Sequence, residues 1–391
     1  MLIELASHND DIRRLLEKGY ALRVDGGYLV VRDIPYLDDQ RVLRTGTFVA
    51  KLVNVDKNRV IQDDHQVYFA GSVPHGLDGR PVPNLAGGPR AIPLSKTDVI
   101  VQRSFSNKPP GGFANFFDKI EHYTVLIAGP AMMLHGASPF TFNVDNDVTQ
   151  SVFKFRDTLT SRAEIGDLAQ IFKDEVIALI GLGGTGAYLL DLFVKTPVRE
   201  IRAFDGDVYH VHNSFRSPGK LEEAELGIAK AAVYRGRYDN FREGLTLHHK
   251  YVDRSCGRDL DGVTFAFVCV DKGSARAEIF DLLIRLKIPF IDVGMGLNRK
   301  QGPLSGTLRA TYFSPDNAAK MRDMNLVEMV DHPDDIYRSN VQIAELNSLN
   351  ACIAMIRYKQ IRGFYVDDNA AFHLLMVVDS LRIFSETMSQ A

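Results

Sequence analysis

Cysteine is scarce, three in 391 residues, and no Cys-x-x-Cys pair occurs. That excludes a disulfide framework and the paired-cysteine zinc site, and it points to a reducing, cytoplasmic compartment. No apolar run approaches the roughly 20 residues that a membrane helix needs. The opening stretch MLIELASHNDDIRRLLEKGY carries acidic residues in an amphipathic pattern, unlike a secretory or transit leader. Basic excess is missing as well: 46 Lys and Arg face 49 Asp and Glu, for a net charge of −3, which leaves no footprint for nucleic acid. With 45% hydrophobic and 24% charged residues, the chain can bury a sizeable core in more than one domain.

One stretch organises the rest. Val176-Ile177-Ala178-Leu179-Ile180 has the length and β-branched content of a buried parallel strand. It breaks into Gly181-Leu182-Gly183-Gly184-Thr185-Gly186, and an amphipathic helix comes next with Tyr188, Leu189, Leu192 and Phe193 on one face. A glycine turn between strand and helix lets backbone N–H groups approach a phosphate, and the helix N-terminus adds a favourable field. Ile201–Phe204 reads as the next strand. It ends at Asp205, about twenty residues past the glycines, where a nucleotide ribose would be held. No GKS or GKT succeeds the glycines, so a Walker A lysine is excluded. The glycine spacing alone is shared by many dinucleotide enzymes.

The residues beyond that strand are more specific: Asp205-Gly206-Asp207-Val208, then Asn213, then Arg216. Here the sequence resembles the E1-like superfamily, the ThiF/MoeB/HesA adenylating enzymes and the ubiquitin-activating enzymes, over about residues 152–365. The resemblance implies that Gly181, Gly183, Gly184, Gly186, Asp205, Asp207, Asn213, Arg216, Lys230 and Asp271 bind the nucleotide. Asp205 would hold the ribose, and Asn213 and Arg216 match the phosphate-contacting N-x-x-R pair. Lys230 matches the lysine of the next helix, and Asp271 the acidic residue associated with Mg²⁺, with Arg276 at the trailing arginine. Arg216, Lys230 and Asp271 would carry catalysis. Ser217 stands where the family often has Gln. An arginine before the glycine-loop strand reaches the neighbouring subunit's nucleotide in this family, and Arg156 and Arg162 are both candidates.

The implied fold is α/β: a Rossmann-like adenylation domain with a predominantly parallel sheet over 146–391, preceded by a smaller α+β domain over 1–145. In that first part the sequence predicts a helix over Asp10–Lys18, strands at Tyr28–Arg32, Thr47–Leu52 and Val67–Ala70, and a helix from Phe113 to Met133 broken by Pro130. This part resembles a module of unknown function that precedes E1-like domains in bacterial proteins. It has no cysteine, which excludes the thioester site of an E2-like domain, and His65, His75 and His122 with Asp63 and Asp64 fit no metal-ligand spacing. Residues 140–157 read as the interdomain connection. Further on, Phe265–Val270 and Ile288–Gly296 read as buried strands, Ser305–Tyr312 as an antiparallel one, and 321–333 as a mobile crossover. A helix over Ile343–Arg362 would bury Leu346, Leu349, Ile353 and Ile356, and the apolar tail 370–383 would finish the core or contact a second subunit.

Cys269 and Cys352 read as packing residues, whereas Cys256 lies in a polar loop and could be exposed; none stands where the family places its nucleophile. The resemblance therefore implies an ATP- and Mg²⁺-dependent enzyme that adenylates the C-terminus of a small ubiquitin-like or sulfur-carrier protein without a thioester step of its own. A bacterial ubiquitin-like conjugation pathway (in antiphage defence, for example), a separate E2-like partner and a homodimer are the accompanying expectations. Three alternatives stay open: adenylation of a peptide or tRNA base, an NAD-dependent oxidoreductase, and a non-catalytic nucleotide-binding scaffold.

Overall fold

The computed structural model describes residues 2–56, 59–85, 92, 94, 99–143, 151–155, 157, 159–160, 165–299, 302–324, 326–331 and 341–387. Arg156 and Arg162 lie outside the described residues. Two compact units divide the chain, Met1–Ile165 and Gly166–Ala391.

In the first unit, strands rich in β-branched and aromatic residues pair antiparallel throughout. They are β1 (Ala21–Asp25), β2 (Tyr28–Leu37), β3 (Leu43–Asn54), β4 (Val60–Gln62), β5 (Val67–Ala70) and β6 (Arg103–Phe105), in the order β1-β2-β3-β5-β6 with β4 beside β3. Helices α1 (Leu2–His8), α2 (Asp10–Lys18) and α3 (Phe116–His135) cover one face. This is the α+β domain expected. The sequence predicts a break at Pro130, but α3 runs through it and closes at Gly136 in the left-handed conformation. A proline removes one N–H and crowds the carbonyl four residues back. That loss falls near the helix end, while buried Ile127, Ala128 and Ala131 keep the flanking turns on the sheet.

The second unit holds an eight-stranded sheet: β7 (Val176–Ile180), β8 (Glu200–Phe204), β9 (Leu245–His248), β10 (Phe265–Val268), β11 (Phe290–Asn298), β12 (Ser305–Phe313), β13 (Ala371–Val377) and β14 (Arg382–Thr387). Its order is β14-β13-β12-β11-β10-β7-β8-β9, parallel from β11 to β9 and antiparallel from β11 to β14. Every side chain of β7 and β10 is buried, as a parallel strand covered on both faces requires. Helices α4 (Gly184–Val194), α5 (Lys230–Tyr238) and α8 (Ala344–Ile361) pack on one face, and α6 (Gly273–Arg285) and α7 (Ala318–Asp323) on the other. The tail supplies β13, with Ala371, Phe372 and Met376 buried, and then β14, exposed along its whole length.

Two of the four apolar residues expected inside α8 are there, Leu346 packed against the core and Ile353 within it, but the buried face is completed by other residues. Asn347, Asn350, Ala351, Ala354 and Tyr358 face inward with Ile353, whereas Leu349 and Ile356 are 36% and 49% exposed. Small residues allow α8 to lie close against α4, and the two asparagines find polar partners there and on β11. The segment predicted as a mobile crossover starts with α7, and its Met321 and Val327 are buried against the α6 side of the sheet.

Candidate active site

The parallel strands all end on one edge of the sheet, and ligands of open α/β sheets bind beyond that edge. β7 ends at Ile180, and Gly181 turns the chain with φ +98°, a conformation that disfavours any side chain. At Gly186 a Cβ would lie 1.9 Å from the Gly181 carbonyl oxygen, so the first turn of α4 rests directly on the strand end. Gly183 caps α4 with its backbone; no side chain accepts the first N–H groups, and nothing lies within 4 Å of where its Cβ would be. An open helix start of this kind attracts an anion.

Asp205, buried at the end of β8, locks this turn. Its carboxylate accepts the Leu182 N–H at 2.7 Å and the Asp207 N–H at 2.9 Å. Lys230, buried at the start of α5, lies 3.4 Å from Asp205 and 2.7 Å from Asp207 Oδ2, while the Tyr251 hydroxyl donates to Asp207 Oδ1 at 2.5 Å. Partial burial pushes the Asp207 carboxyl up, but the hydrogen bonds from Lys230 and Tyr251 outweigh it and hold the group below its ordinary range. The Asp207 hydrogen bond in turn pushes the Tyr251 hydroxyl up to about 12.

Asn213 is buried, and its Oδ1 accepts the His210 N–H at 2.8 Å, closing the short helical turn Val211–Ser214. Ser217 donates to the Asn213 carbonyl at 2.7 Å, so the residue that replaces the family's Gln fixes this loop from beneath. Asn213 therefore acts here as a brace. Arg216, three residues on, is half-buried, and its Nε is inaccessible to solvent with no hydrogen-bond partner among the described residues. A buried donor left unpaired is costly unless a ligand meets it.

Past β10, the Cys269 carbonyl lies 2.7 Å from where a Gly181 Cβ would be, which places the segment leading to Asp271 beside the glycine turn. Asp271 is exposed and has no hydrogen bond or ion pair with a described residue. Arg276 holds the segment from below: it donates to the Val270 carbonyl at 2.5 Å and the Glu328 carbonyl at 2.8 Å and pairs with fully buried Asp292 at 3.1 Å. Arg309 pairs with the other Asp292 oxygen. The trailing arginine thus positions the loop rather than facing the cleft.

Asn347 is a functional residue that sequence pattern does not single out. Its Oδ1 accepts the Thr185 hydroxyl at 2.9 Å, and its amide fills the space that a Gly184 side chain would need. A signal is nevertheless present: asparagines at 347 and 350 recur on one helical face of an otherwise apolar segment. Cys256, in a loop polar enough to expose it, is 3% exposed; its thiol donates to the Tyr251 carbonyl at 3.7 Å, inside the loop that carries Tyr251. Cys269 is half-buried as a residue, and burial of its thiol pushes the pKa far up, which leaves it protonated and inert. In the first unit, His65, His75 and His122 bind Ser106, the Val73 carbonyl and Asn107, respectively.

Residues 159–304 match the ThiF family model. They form a ThiF domain. Residues 10–158 match a domain of unknown function, DUF6791. No curated protein matches the chain. Among solved structures, PaaA is similar at 16% identity and a TM-score of 0.44, over 59% of this chain and 80% of PaaA. E. coli MccB solved with ATP overlaps at 14% identity and a TM-score of 0.43, over 57% of this chain and 66% of that one. The microcin C7 biosynthetic enzyme MccB in complex with N-formylated MccA gives 16% identity and 0.43, over 57% and 67%. The cluster from the glycine turn to Asp271 falls wholly within the ThiF domain.

No group of three His, Cys, Asp or Glu suited to a metal occurs among the described residues. That is compatible with Mg²⁺, which commonly takes one or two carboxylates and completes its shell with water and substrate phosphates. Asp271, exposed beside the glycine turn and without a partner among the described residues, fits such a site. Among the described residues, no helix is long and apolar enough to cross a membrane.

Proposed function

We propose that the chain is an ATP-dependent E1-like activating enzyme that adenylates the C-terminal carboxylate of a small ubiquitin-like or sulfur-carrier protein. In that reaction a carboxylate oxygen attacks the α-phosphorus of ATP, and the bond to the departing pyrophosphate breaks. Side chains have little covalent work in such a step, and catalysis is mostly positioning and charge neutralisation. The open N-terminus of α4 and the glycine turn receive phosphate oxygens. Arg216, whose buried Nε has no partner among the described residues, stabilises their charge. Lys230 holds Asp205 and Asp207 in place, and Asp205 orients the ribose. Asp271 would hold Mg²⁺, which supplies further charge neutralisation when bound.

One observation carries this reading: the first N–H groups of α4, Arg216 Nε and the Asp271 carboxylate have no side-chain partner among the described residues, and all lie within one ThiF domain. Cys256 is buried and the Cys269 thiol is held protonated, which supports an enzyme that passes the adenylate onward without a thioester of its own. A bacterial ubiquitin-like conjugation pathway, a separate E2-like acceptor, a homodimer and a cytoplasmic setting complete the proposal.

ATP–pyrophosphate exchange by purified protein with Mg²⁺, with and without candidate carriers, tests it. Exchange that depends on one carrier is expected, falling by on the order of a hundredfold or more in Arg216→Ala and Asp271→Ala. ATP binding without exchange on any carrier would remove the carrier substrate; no ATP binding would remove the nucleotide role.

A further inference from the structure

Charge at the carboxyl edge of the sheet is unevenly spent. Three carboxylates, Asp205, Asp207 and Asp271, stand there. Lys230, which the family resemblance assigns to phosphate, is 5% exposed and already bridges Asp205 and Asp207. Its contribution to an incoming polyanion is largely cancelled by the two acids that hold it. Arg276 is taken up by Asp292, so among the described residues Arg216 is the other cation of the family pattern at this edge, and three carboxylates against two cations oppose the entry of a polyanion.

Lys272 changes this balance. It comes directly after Asp271, caps the N-terminus of α6 with its backbone, and is exposed. It forms no hydrogen bond or ion pair with a described residue, although its charge contributes to lowering the Asp207 and Asp331 carboxyls. Strand order gives this meaning. Lys272 leaves the end of β10 and Asp207 the end of β8, and β7 lies between those two strands. β10 pairs with β7, and the Cys269 carbonyl oxygen lies 2.7 Å from where a Gly181 Cβ would be, so a lysine at the end of β10 need span only about one strand spacing to reach the Gly181–Gly184 turn. Its four-carbon stem has that reach, and an ammonium is a mobile point charge suited to phosphate.

We propose that Lys272 is a phosphate ligand of the bound nucleotide, and that Lys230 is a positioning residue that keeps Asp205, Asp207 and the glycine turn in register. The proposal rests on the nucleotide reading of this site. It gives the phosphate contact to Lys272 and leaves Lys230 to hold the site together.

Equilibrium binding of ATP, AMP and adenosine to the full chain with Mg²⁺, for wild type, Lys272→Met and Lys272→Arg, tests it. Lys272→Met should weaken ATP on the order of tenfold, as loss of a charge-assisted contact does, and leave adenosine unchanged. Lys272→Arg should restore most of the ATP affinity. ATP affinity unaltered in Lys272→Met, or ATP and adenosine weakened alike, would overturn the assignment. Failure of the wild type to bind ATP would instead overturn the nucleotide reading itself, so the two failures are distinguishable. Because Lys272 is exposed and has no hydrogen bond or ion pair with a described residue, its replacement should leave the fold intact, which an unchanged melting temperature verifies.

Discussion

The two ends of the eight-stranded sheet are built from the same strands and treat polar groups in opposite ways. At the amino end, Glu175 precedes β7 and accepts from Thr264, from Tyr358 and from Arg362 at 2.9 Å, while Thr264 receives the Val176 N–H at 3.0 Å. Nearby Arg242, buried enough that its pKa is pulled down to about 10, donates to the carbonyls of Phe193 and Thr196. Charge there is spent chiefly on sewing loops to strands, although Arg362 Nε, like Arg216 Nε, has no hydrogen-bond partner among the described residues. At the carboxyl end, the start of α4, Arg216 Nε, Asp271 and Lys272 face outward or inward with nothing to meet them among the described residues. An end whose groups satisfy one another contributes stability; an end that leaves matched donors and acids open is arranged for a ligand.

The largest effect that would test this contrast comes from the glycine turn, where the first turn of α4 meets the strand end. In Gly186→Ala the new Cβ would start 1.9 Å from the Gly181 carbonyl oxygen, and both are backbone-fixed, so the helix must lift from the strand. Overpacking of this kind costs about 1–3 kcal/mol. Thermal melting should show that loss, and ATP binding should disappear with it, since the displaced atoms are the ones that receive phosphate. A variant that melts normally and binds ATP would mean that the turn is not the phosphate cradle.

Next in size is a break at the opposite end. Glu175→Ala takes the carboxylate from Arg362 and from the Thr264 hydroxyl, leaving them the Thr264 and Val176 carbonyls at 3.1 and 3.2 Å, in a mostly buried setting with the Glu175 and Arg362 side chains 14% and 23% exposed. Removing one partner of such a pair destabilises by about 2 kcal/mol. The expected outcome is a lower melting temperature with ATP affinity unchanged. Weakened ATP binding at constant stability would show that the two ends are not functionally separate.

That separation is only partly legible in the sequence. The carboxyl edge can be located because a parallel strand buried on both faces needs an unbroken apolar run, and Val176–Ile180 is one, while Gly181–Gly186 can only be a tight turn. Which charges remain free there cannot be read, because freedom depends on what else is nearby. Lys230 has the expected position yet is taken up by Asp205 and Asp207, whereas Lys272 reads as an ordinary surface lysine. The α8 helix misleads for a related reason: its apolar residues outnumber the positions available inside, and contact with α4 selects the small and amide side chains. Cys256 sits in a polar stretch, but the loop folds its thiol inward onto the Tyr251 carbonyl. Pattern reports period and polarity, and tertiary contact decides between the two faces that a pattern permits.

The smallest effect separates the committed charges from the open ones by their response to acid. The Asp207 carboxyl titrates below its ordinary value of 3.8 in the folded chain, because hydrogen bonds from Lys230 and Tyr251 outweigh its partial burial. The folded state therefore binds this proton less readily than the unfolded state does. The stabilisation is fully present above 3.8 and is lost as pH falls through the folded value. Asp207 is 52% exposed at its side chain, so solvent screening leaves less than about 1 kcal/mol from this source. Melting of Asp207→Asn against wild type should show a small deficit near neutral pH that closes on acidification, and the wild type should lose stability with acid more steeply. Asp271→Asn, which removes a carboxylate with no partner among the described residues, should melt like wild type at neutral pH while losing exchange. A neutral-pH deficit in Asp271→Asn as large as that in Asp207→Asn would mean that Asp271 is spent on the fold, and the distinction between committed and open charge at this edge would fall.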